Sequence, residues 1–375
     1  MNKKRLIGII TTITIVGTLL GGCSSSNSST SSTGSTETTT KKIKVGLSTD
    51  QGGLNDKSFN QAADAGIKKA QTEMGFQYKA IESKAKEDYE SNLDALITEG
   101  NDIVFGIGFQ METAMENIAK RYPDKKFAII DSVASVDPKA TPTVQLANVE
   151  SILFKENEGS FLVGVVAGKM TASHKVGFIG GIDMELIQRF ETGFAAGVKS
   201  VDPEAAKGLI DRKTVKYAGS FTDTNIGYEA AKALINDGCD VIYHAAGGVG
   251  EGMFKAVKEA NDGGKKVWAI GVDLDQSLTV PAYASVILTS MIKRVDTATY
   301  NVSKDVVNNA FKAGKIIELG LKEDGVGIAE TSNVNVPKDV LDLVGKYSEV
   351  IKSGKLIVPA KKGEAASFVA PKDIK

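Results

Sequence analysis

Short apolar runs typical of β-strands alternate along this chain with longer stretches whose apolar residues recur at helical spacing. The strand-like runs are residues 43–48, 103–105, 127–130, 175–179, 215–217, 241–243, 267–272 and 286–288. Residues 62–74 show the helical spacing, and Ser58 and Gln61 are spaced as a capping box that opens this helix. Strands that alternate with helices of this length form parallel sheets with helices on both faces. The sequence therefore predicts an α/β protein.

The same pattern occurs twice along the chain. Residues 95–105 (ALITEGNDIVF) match residues 233–243 (ALINDGCDVIY). Downstream, residues 125–131 (KKFAIID) match residues 265–273 (KKVWAIGVD). Two matches in the same order predict two lobes built on one plan.

Polar and glycine-rich segments follow the predicted strands. They are residues 50–60 (DQGGLNDKSFN), 108–110 (GFQ), 131–132 (DS), 180–181 (GG), 219–223 (GSFTD), 247–250 (GGVG) and 273–275 (DLD). In open parallel sheets, ligands bind beyond the carboxyl ends of the strands. Carboxylates, amides, aromatic rings and accessible backbone amides are the groups that line small-molecule sites. We therefore expect a ligand cleft between the two lobes.

The N-terminus has the layout of a secretory signal. A basic start (KKR) precedes an apolar run over residues 6–20 that is too short to span a membrane comfortably. The run ends in LGGC, which resembles the lipobox of bacterial lipoproteins and implies removal of residues 1–22 and lipidation of Cys23, as with palmitate. Residues 23–41 are rich in Ser and Thr and are expected to form a flexible tether. We expect a lipid-anchored protein on the extracytoplasmic face of the bacterial cell membrane.

The charge balance argues against nucleic acid as a partner. The chain has 45 basic and 46 acidic side chains, a formal net charge of −1, and no long basic run. Phosphate backbones are bound by clustered Lys and Arg. A neutral or weakly charged ligand fits this balance better.

Cysteine and histidine are scarce. With Cys23 committed to lipid, Cys239 is the one cysteine left, so no intrachain disulfide is expected, and it is predicted to be a small buried residue. His174 and His244 are the only histidines, and neither belongs to an H-E-x-x-H motif. His244 follows a predicted strand and is interpreted as a structural residue.

Two nucleotide- or nucleoside-directed enzyme sites are disfavoured. Residues 247–252 lack the Gly-Lys-Ser/Thr ending of a phosphate-binding loop, and Met253 breaks the G-x-G-x-x-G spacing. A nucleoside hydrolase needs paired Asp residues after the first strand to hold Ca²⁺, whereas Ser48 stands two residues before Asp50. We therefore expect no enzyme activity, no catalytic residues, no metal and no cofactor.

Several ordered segments together resemble one family. They are residues 50–61, Asp131, and residues 157–162 (NEGSFL), 175–181 (KVGFIGG), 190–194 (FETGF), 219–223, 271–276 (GVDLDQ) and 319–321 (LGL). These segments resemble the basic membrane protein family of lipoproteins, which includes the nucleoside-binding relatives of PnrA. The resemblance implies a type I periplasmic-binding-protein-like fold, with two doubly wound parallel-sheet lobes joined by a three-segment hinge. It also implies delivery of nucleosides, above all purine nucleosides, to the permease of an ABC transporter.

On this plan we assign residues 42–148 and 286–320 to an N-terminal lobe. Residues 149–285 and 321–375 are assigned to a C-terminal lobe. The protein is expected to act as a monomer that captures its ligand when the lobes close about the hinge.

By the same resemblance, Phe59 and Phe221 would sandwich the nucleobase. Both occur in polar loop sequence, which favours a ligand role over a core role. Stacking of a base on an aromatic ring contributes roughly 1–3 kcal/mol and accepts any base with a π-face.

The sugar would be bound by carboxylates. Asp273 would accept hydrogen bonds from two ribose hydroxyls, since an ionised carboxylate accepts two donors. Asp131 and Asp50 would face the ligand, with Asn55 or Asn60 assisting. An Asp that follows a strand also commonly caps a helix, and this alternative stays open for Asp50.

Three further residues complete the predicted site. Gly247 and Gly248 would let the backbone approach the sugar closely. Lys293 would donate to the ribose, with a solvated lysine at a helix start as the alternative.

Two other functions remain open at this stage. One is the binding of a sugar or another small metabolite, because fold alone does not choose the ligand. The other is a surface interaction or antigen role without transport. Paired Phe residues in a cleft favour a nucleoside over a plain sugar.

Overall fold

Two six-stranded sheets form the centre of the part of the chain that this computed structural model describes, residues 42–137, 139–141, 143–371 and 374. These residues belong to one compact unit. The predicted signal peptide, the lipidated Cys23 and the tether lie outside the described residues. Among the helices that are described, none is both long and apolar enough to cross a membrane.

The strands and helices alternate as the sequence predicts. The strands are β1 (Lys44–Thr49), β2 (Gln77–Ile81), β3 (Ile103–Ile107), β4 (Lys126–Ile130), β5 (Val149–Phe154), β6 (Val176–Gly180), β7 (Val215–Tyr217), β8 (Val241–Ala245), β9 (Trp268–Asp273), β10 (Ile287–Lys293), β11 (Ile316–Leu319) and β12 (Val326–Ile328). The helices are α1 (Phe59–Met74), α2 (Asp88–Thr98), α3 (Glu112–Arg121), α4 (Glu156–Met170), α5 (Glu185–Val201), α6 (Pro203–Ile210), α7 (Thr224–Asn236), α8 (Val249–Asp262), α9 (Gln276–Thr279), α10 (Val295–Val307) and α11 (Lys338–Lys352). All eight strands predicted from apolar runs are present.

The two sheets repeat one topology. The N-terminal lobe has the order β2-β1-β3-β4-β5-β11, and the C-terminal lobe has the order β7-β6-β8-β9-β10-β12. The pairing of β12 with β10 is antiparallel, whereas β11 pairs with β5 in parallel. The predicted fold class, two doubly wound parallel-sheet lobes, is confirmed, and the sequence repeat reflects it.

Two predicted lobe boundaries are wrong. We placed residue 149 at the start of the C-terminal lobe, but Val149 pairs with Phe127 of β4, so β5 completes the N-terminal lobe. We placed residues 286–320 in the N-terminal lobe, but β10 pairs with β9 in the C-terminal sheet. The chain therefore crosses between the lobes after β5, after β10 and after β11, and at the first two crossings the strand precedes the crossing instead of following it.

Glycines allow α4 and α5 of the C-terminal lobe to pack backbone against backbone. A Cβ atom at Gly197 would lie 2.1 Å from the carbonyl oxygen of Phe161, and one at Gly193 would lie 2.2 Å from that of Asn157. Any larger residue at these positions would push the helices apart. This packing fixes α5, whose first turns face the cleft.

Candidate functional site

The cleft between the lobes contains a cavity at the carboxyl ends of strands from both sheets. It encloses about 610 Å³ of space between atoms, part of which is open to solvent. Its lining residues are Asp50, Gly52, Asp56, Phe59, Asn60, Gly108, Phe109, Asp131, Leu186, Ile187, Phe190, Phe221, Ala245, Ala246, Gly247, Val272, Asp273 and Lys293.

Most of the residues predicted to bind ligand lie at this cavity. They are Asp50, Phe59, Asn60, Asp131, Phe221, Gly247, Asp273 and Lys293. Asn55 and Gly248 are not among the lining residues. The Asn55 side chain instead accepts a hydrogen bond from Lys57 Nζ at an exposed position. As ligand-binding residues, all ten remain predictions.

Lys293 lies at the end of β10 and bridges the two lobes. Its Nζ is 2.6 Å from Oδ2 of Asp131 and 3.0 Å from Oε1 of Glu156, and its side chain is 2% exposed. Burial alone would lower the pKa of Lys293, but the nearby carboxylates, Asp131 first, outweigh burial and hold this pKa above its usual range. Lys293 is therefore a charged, buried residue, and the alternative of a solvated lysine is wrong.

Aromatic rings surround the Lys293 ammonium. Its Nζ lies 5.2 Å from the ring centroid of Phe59, 5.0 Å from that of Phe154 and 5.5 Å from that of Phe190. At these distances the ring faces attract the cation. Lys293 thus contacts both a carboxylate and aromatic rings that line the cavity.

Asp131 and Asp273 occupy equivalent places in the two lobes. Asp131 follows β4 with φ 66°, and Asp273 ends β9 with φ 65°. Non-glycine residues seldom adopt this left-handed region, and such residues concentrate at functional sites. Oδ1 of Asp131 is buried and has no hydrogen-bond partner within the described residues. A free acceptor of this kind suits a ligand that donates hydrogen bonds.

Asp273 is bound across the cleft by Ser58 of the N-terminal lobe, whose hydroxyl donates to Oδ2. Burial raises the pKa of Asp273 to about 6, although Lys293 and Ser58 act in the opposite direction. The Ser58 hydroxyl is therefore not engaged in capping α1, and the predicted capping box is wrong.

Asp56 caps α1 in place of Ser58. Its carboxylate accepts from the backbone N–H groups of Ser58, Asn60 and Gln61 at 2.8–3.1 Å. Burial raises the pKa of Asp56 to about 6. This cap positions Phe59 and Asn60 in the first turn of α1, at the cavity wall.

Asp50 is held beside this turn. Its Oδ1 accepts from the backbone N–H of Gly52 at 2.9 Å and from Nδ2 of Asn60 at 2.8 Å. Asp50 therefore does not cap α1, and burial raises its pKa. The Asn60 side chain is oriented by Asp50, and its Oδ1 is buried without a hydrogen-bond partner in the described part.

Phe109 and Phe221 meet across the cleft. Their ring centroids are 6.0 Å apart at an interplanar angle of 66°, an edge-to-face contact. Phe221 lies against Gly181, where a Cβ atom would be 2.2 Å from its ring. The two loops that carry these rings therefore close one side of the cavity.

Several lining residues were not predicted to bind ligand. Phe109 follows β3 at the same spacing at which Gly247 follows β8, so the sequence repeat could have identified it as a lining residue. Leu186, Ile187 and Phe190 lie on the first turns of α5, where their apolar character does not distinguish them from core residues.

The histidines do not line the cavity. His244 is buried in β8, where Nε2 contacts Gln276 Oε1 at 2.8 Å, and burial lowers its pKa to about 4. His174 contacts the Asp202 carboxylate. Within the described residues, no group of three or more His, Cys, Asp or Glu side chains is arranged to hold a metal ion. Cys239 is buried, as predicted, and burial raises its pKa to about 12.

Comparison with known proteins gives consistent results. Residues 43–362 match the family model described as Bmp, ABC transporter substrate-binding protein PnrA-like. The chain is 39% identical over 373 residues to a protein of Listeria monocytogenes named CD4+ T-cell-stimulating antigen, covering 96% of this chain and 99% of that protein. It is 35% identical to the ABC transporter nucleoside-binding protein BmpA of Lactococcus lactis, covering 87% of this chain and 91% of that protein.

The fold has a counterpart among solved structures. An ABC transporter solute-binding protein from Aeropyrum pernix superposes with a TM-score of 0.72 at 30% identity, covering 87% of this chain and 96% of that chain. Some archaeal relatives are named lipoproteins, such as one from Pyrococcus abyssi that is 34% identical. The chain therefore belongs to the Bmp family of PnrA-like ABC transporter substrate-binding proteins.

Proposed function

We propose that this chain captures nucleosides, purine nucleosides above all, in the cavity between its lobes and delivers them to an ABC permease. The observation that supports the proposal is that aromatic rings and buried carboxylates line the same cavity. Phe59, Phe109 and Phe221 supply ring faces and edges, and Asp131 and Asp273 supply buried carboxylate acceptors. A nucleoside has a flat base for the rings and hydroxyl donors for the carboxylates.

The charges at the cavity favour a nucleoside over a nucleotide. Asp50, Asp56, Asp131 and Asp273 all line it, and the cation among its lining residues, Lys293, is already paired with Asp131 and Glu156. A phosphate group would bring negative charge close to these carboxylates without a free cation to receive it. The name of the Lactococcus relative supports the same ligand class.

The anchoring and the mode of action are part of the proposal. Lipidation of Cys23 would hold a monomer on the extracytoplasmic face of the cell membrane, with residues 24–41 as a tether. Closure of the lobes would bury the ligand, and the closed form would be the one that a permease binds.

A thermal-shift screen of residues 42–375 tests this proposal. The ligands are adenosine, guanosine, uridine, adenine, adenosine 5′-monophosphate and ribose. A ligand that binds only the folded state stabilises it by about 2.7 kcal/mol at 100 times its Kd. We expect large shifts with nucleosides, largest with adenosine and guanosine. Shifts with ribose alone would contradict the ligand assignment, and no shift with any nucleoside would contradict the proposal.

Asp273→Asn is the informative variant in the same screen, since it keeps the shape and removes the charge. Asp262→Asn serves as the matched control, because Asp262 is an exposed residue of α8 that pairs with Lys258. We expect the nucleoside shift to shrink in the first variant and to persist in the second.

A further inference from the structure

A second set of contacts joins the lobes beside the cavity. The backbone carbonyl of Lys57, in the N-terminal lobe, accepts from Gln276 Nε2 at 3.2 Å and from Thr279 Oγ1 at 3.3 Å. Gln276 and Thr279 begin and end α9 of the C-terminal lobe. Neither is among the residues that line the cavity.

The Gln276 amide has one orientation. Its Oε1 is 2.8 Å from the backbone N–H of Val272, which can only donate, so this atom must be the oxygen. His244 Nε2 also lies 2.8 Å from the same oxygen and therefore carries a proton. The amide nitrogen is thus left to point at Lys57. Gln276 is 2% exposed, so its amide is shielded from water that could replace these partners.

The loop that carries the Lys57 carbonyl is also held in one conformation. Lys57 has φ 58°, in the left-handed region that residues with long side chains adopt rarely. The next residue, Ser58, is fully buried, and its backbone N–H donates to the Asp56 carboxylate. A carbonyl held in this way receives two donors from the other lobe without a change in the loop.

We propose that Gln276 and Thr279 form a latch on the Lys57 carbonyl that holds the lobes closed without touching the ligand. Gln276 is a positioning residue, and His244 and Val272 orient it. The latch raises the population of the closed form, and a higher population of the binding-competent form raises the apparent affinity in proportion. Its effect on nucleoside affinity rests on the proposed function, whereas its effect on closure does not.

The latch differs from the Ser58–Asp273 hydrogen bond, which lies at the cavity. A ligand that binds Asp273 competes with Ser58, but it leaves Gln276 and Thr279 in place. The latch therefore slows ligand release, because the lobes must break these hydrogen bonds before they open.

Gln276→Glu is the sharpest test. The substitution keeps an acceptor for Val272 and His244, and it replaces the donor at Lys57 with an oxygen that faces the carbonyl oxygen. Thr279→Val removes the second donor at nearly constant shape from a half-buried position. Ser277→Ala removes a hydroxyl of the same helix that makes no hydrogen bond to Lys57 in the described part, and it serves as the control.

Two readouts are compared for residues 42–375. Small-angle X-ray scattering without ligand measures closure, and stopped-flow dissociation of adenosine measures release. We expect koff to rise about tenfold in Gln276→Glu and about threefold in Thr279→Val, with kon within twofold of native and with lower closure in both. Native values are expected for Ser277→Ala.

Unchanged scattering and an unchanged koff in a folded Gln276→Glu would overturn the latch. If this variant does not fold, Thr279→Val decides by the same criteria. If adenosine fails to bind the native chain, the proposed nucleoside function fails, and the ligand-free scattering comparison still decides the latch.

Discussion

Asp131 and Asp273 end equivalent strands of the two lobes with nearly the same backbone conformation, but their partners differ. Asp131 of the N-terminal lobe is paired with a lysine from β10 of the C-terminal lobe. Asp273 of the C-terminal lobe is bound by a serine hydroxyl from the loop before α1 of the N-terminal lobe. Each carboxylate thus has its direct partner in the opposite lobe, an ammonium for Asp131 and a hydroxyl for Asp273.

Because their partners differ, the two carboxylates are expected to affect different properties of the protein. A buried ion pair is costly to break, because removal of one partner leaves the other as an uncompensated buried charge. Asp273 has a hydroxyl as its direct hydrogen-bond partner, and burial raises its pKa to about 6 although Lys293 acts in the opposite direction. We therefore expect Asp131 to act mainly through the stability of the closed form and Asp273 mainly through the ligand.

Lys293→Met gives the largest expected effect, since it leaves Asp131 and Glu156 buried without their shared cation. We expect the free energy of unfolding to fall by about 3–5 kcal/mol, measured by urea denaturation at pH 7. Lys338→Met is the control, because Lys338 pairs with Asp342 at an exposed site of α11, and exposed pairs contribute about 0–1 kcal/mol. Equal losses in the two variants would contradict the role assigned to Lys293.

Asp273→Asn compared with Asp131→Asn tests the difference between the lobes directly. We expect Asp273→Asn to lose about 1.5–3 kcal/mol of adenosine binding free energy without any loss of stability, because Ser58 can still donate to the amide oxygen. Asp131→Asn is expected to lower the free energy of unfolding. Titration calorimetry and urea denaturation of both variants measure the two quantities. A loss of binding in Asp131→Asn together with a loss of stability in Asp273→Asn would contradict the roles assigned to the two carboxylates.

Substitution of the aromatic residues tests the role of the rings. Phe59→Leu and Phe221→Leu are each expected to weaken adenosine binding by about 1–2 kcal/mol, because Leu keeps apolar contact but offers no ring face. Phe311→Leu, outside the cavity lining, is the matched control. If Phe59→Leu and Phe221→Leu bind adenosine as tightly as Phe311→Leu in a calorimetric titration, the two rings belong to the core and not to the ligand site.

The pH dependence of stability tests the raised pKa of Asp273. The pKa of Asp273 is raised from 3.8 to about 6 in the folded chain, so the unfolded chain releases this proton first as the pH rises. The native chain should therefore lose stability relative to Asp273→Asn between about pH 4 and pH 6, with a slope of about 1 kcal/mol per pH unit. Parallel stability curves for the two proteins over this range would contradict the assignment.

The sequence predicted the strands that are long and continuously apolar, together with the loops that follow them. It missed β2, β11 and β12, since two of them have only three or four residues and the edge strands β2 and β11 alternate exposed with half-buried positions. It missed β5 because Glu150 interrupts the apolar run. Glu150 is nevertheless buried, and its carboxylate accepts from the backbone N–H of Lys312.

Contacts between the lobes were the least predictable part of the site. Ser58 and Gln61 match a local capping motif, but the Ser58 hydroxyl donates to a residue 215 positions away. The buried pairing of Lys293 depends on a strand that continues to residue 293, whereas the apolar run indicated an end at residue 288. A local sequence pattern contains no information about a partner that the other lobe supplies.

We expect this one cavity to bind a base on its rings and a sugar on its carboxylates and to reject phosphate. Titration calorimetry of residues 42–375 with adenosine, adenosine 5′-monophosphate and ribose measures all three properties. We expect adenosine to bind at least about a hundredfold more tightly than either other compound, a difference of about 2.7 kcal/mol. Ribose or the monophosphate binding as tightly as adenosine would contradict this expectation, as would no binding of adenosine.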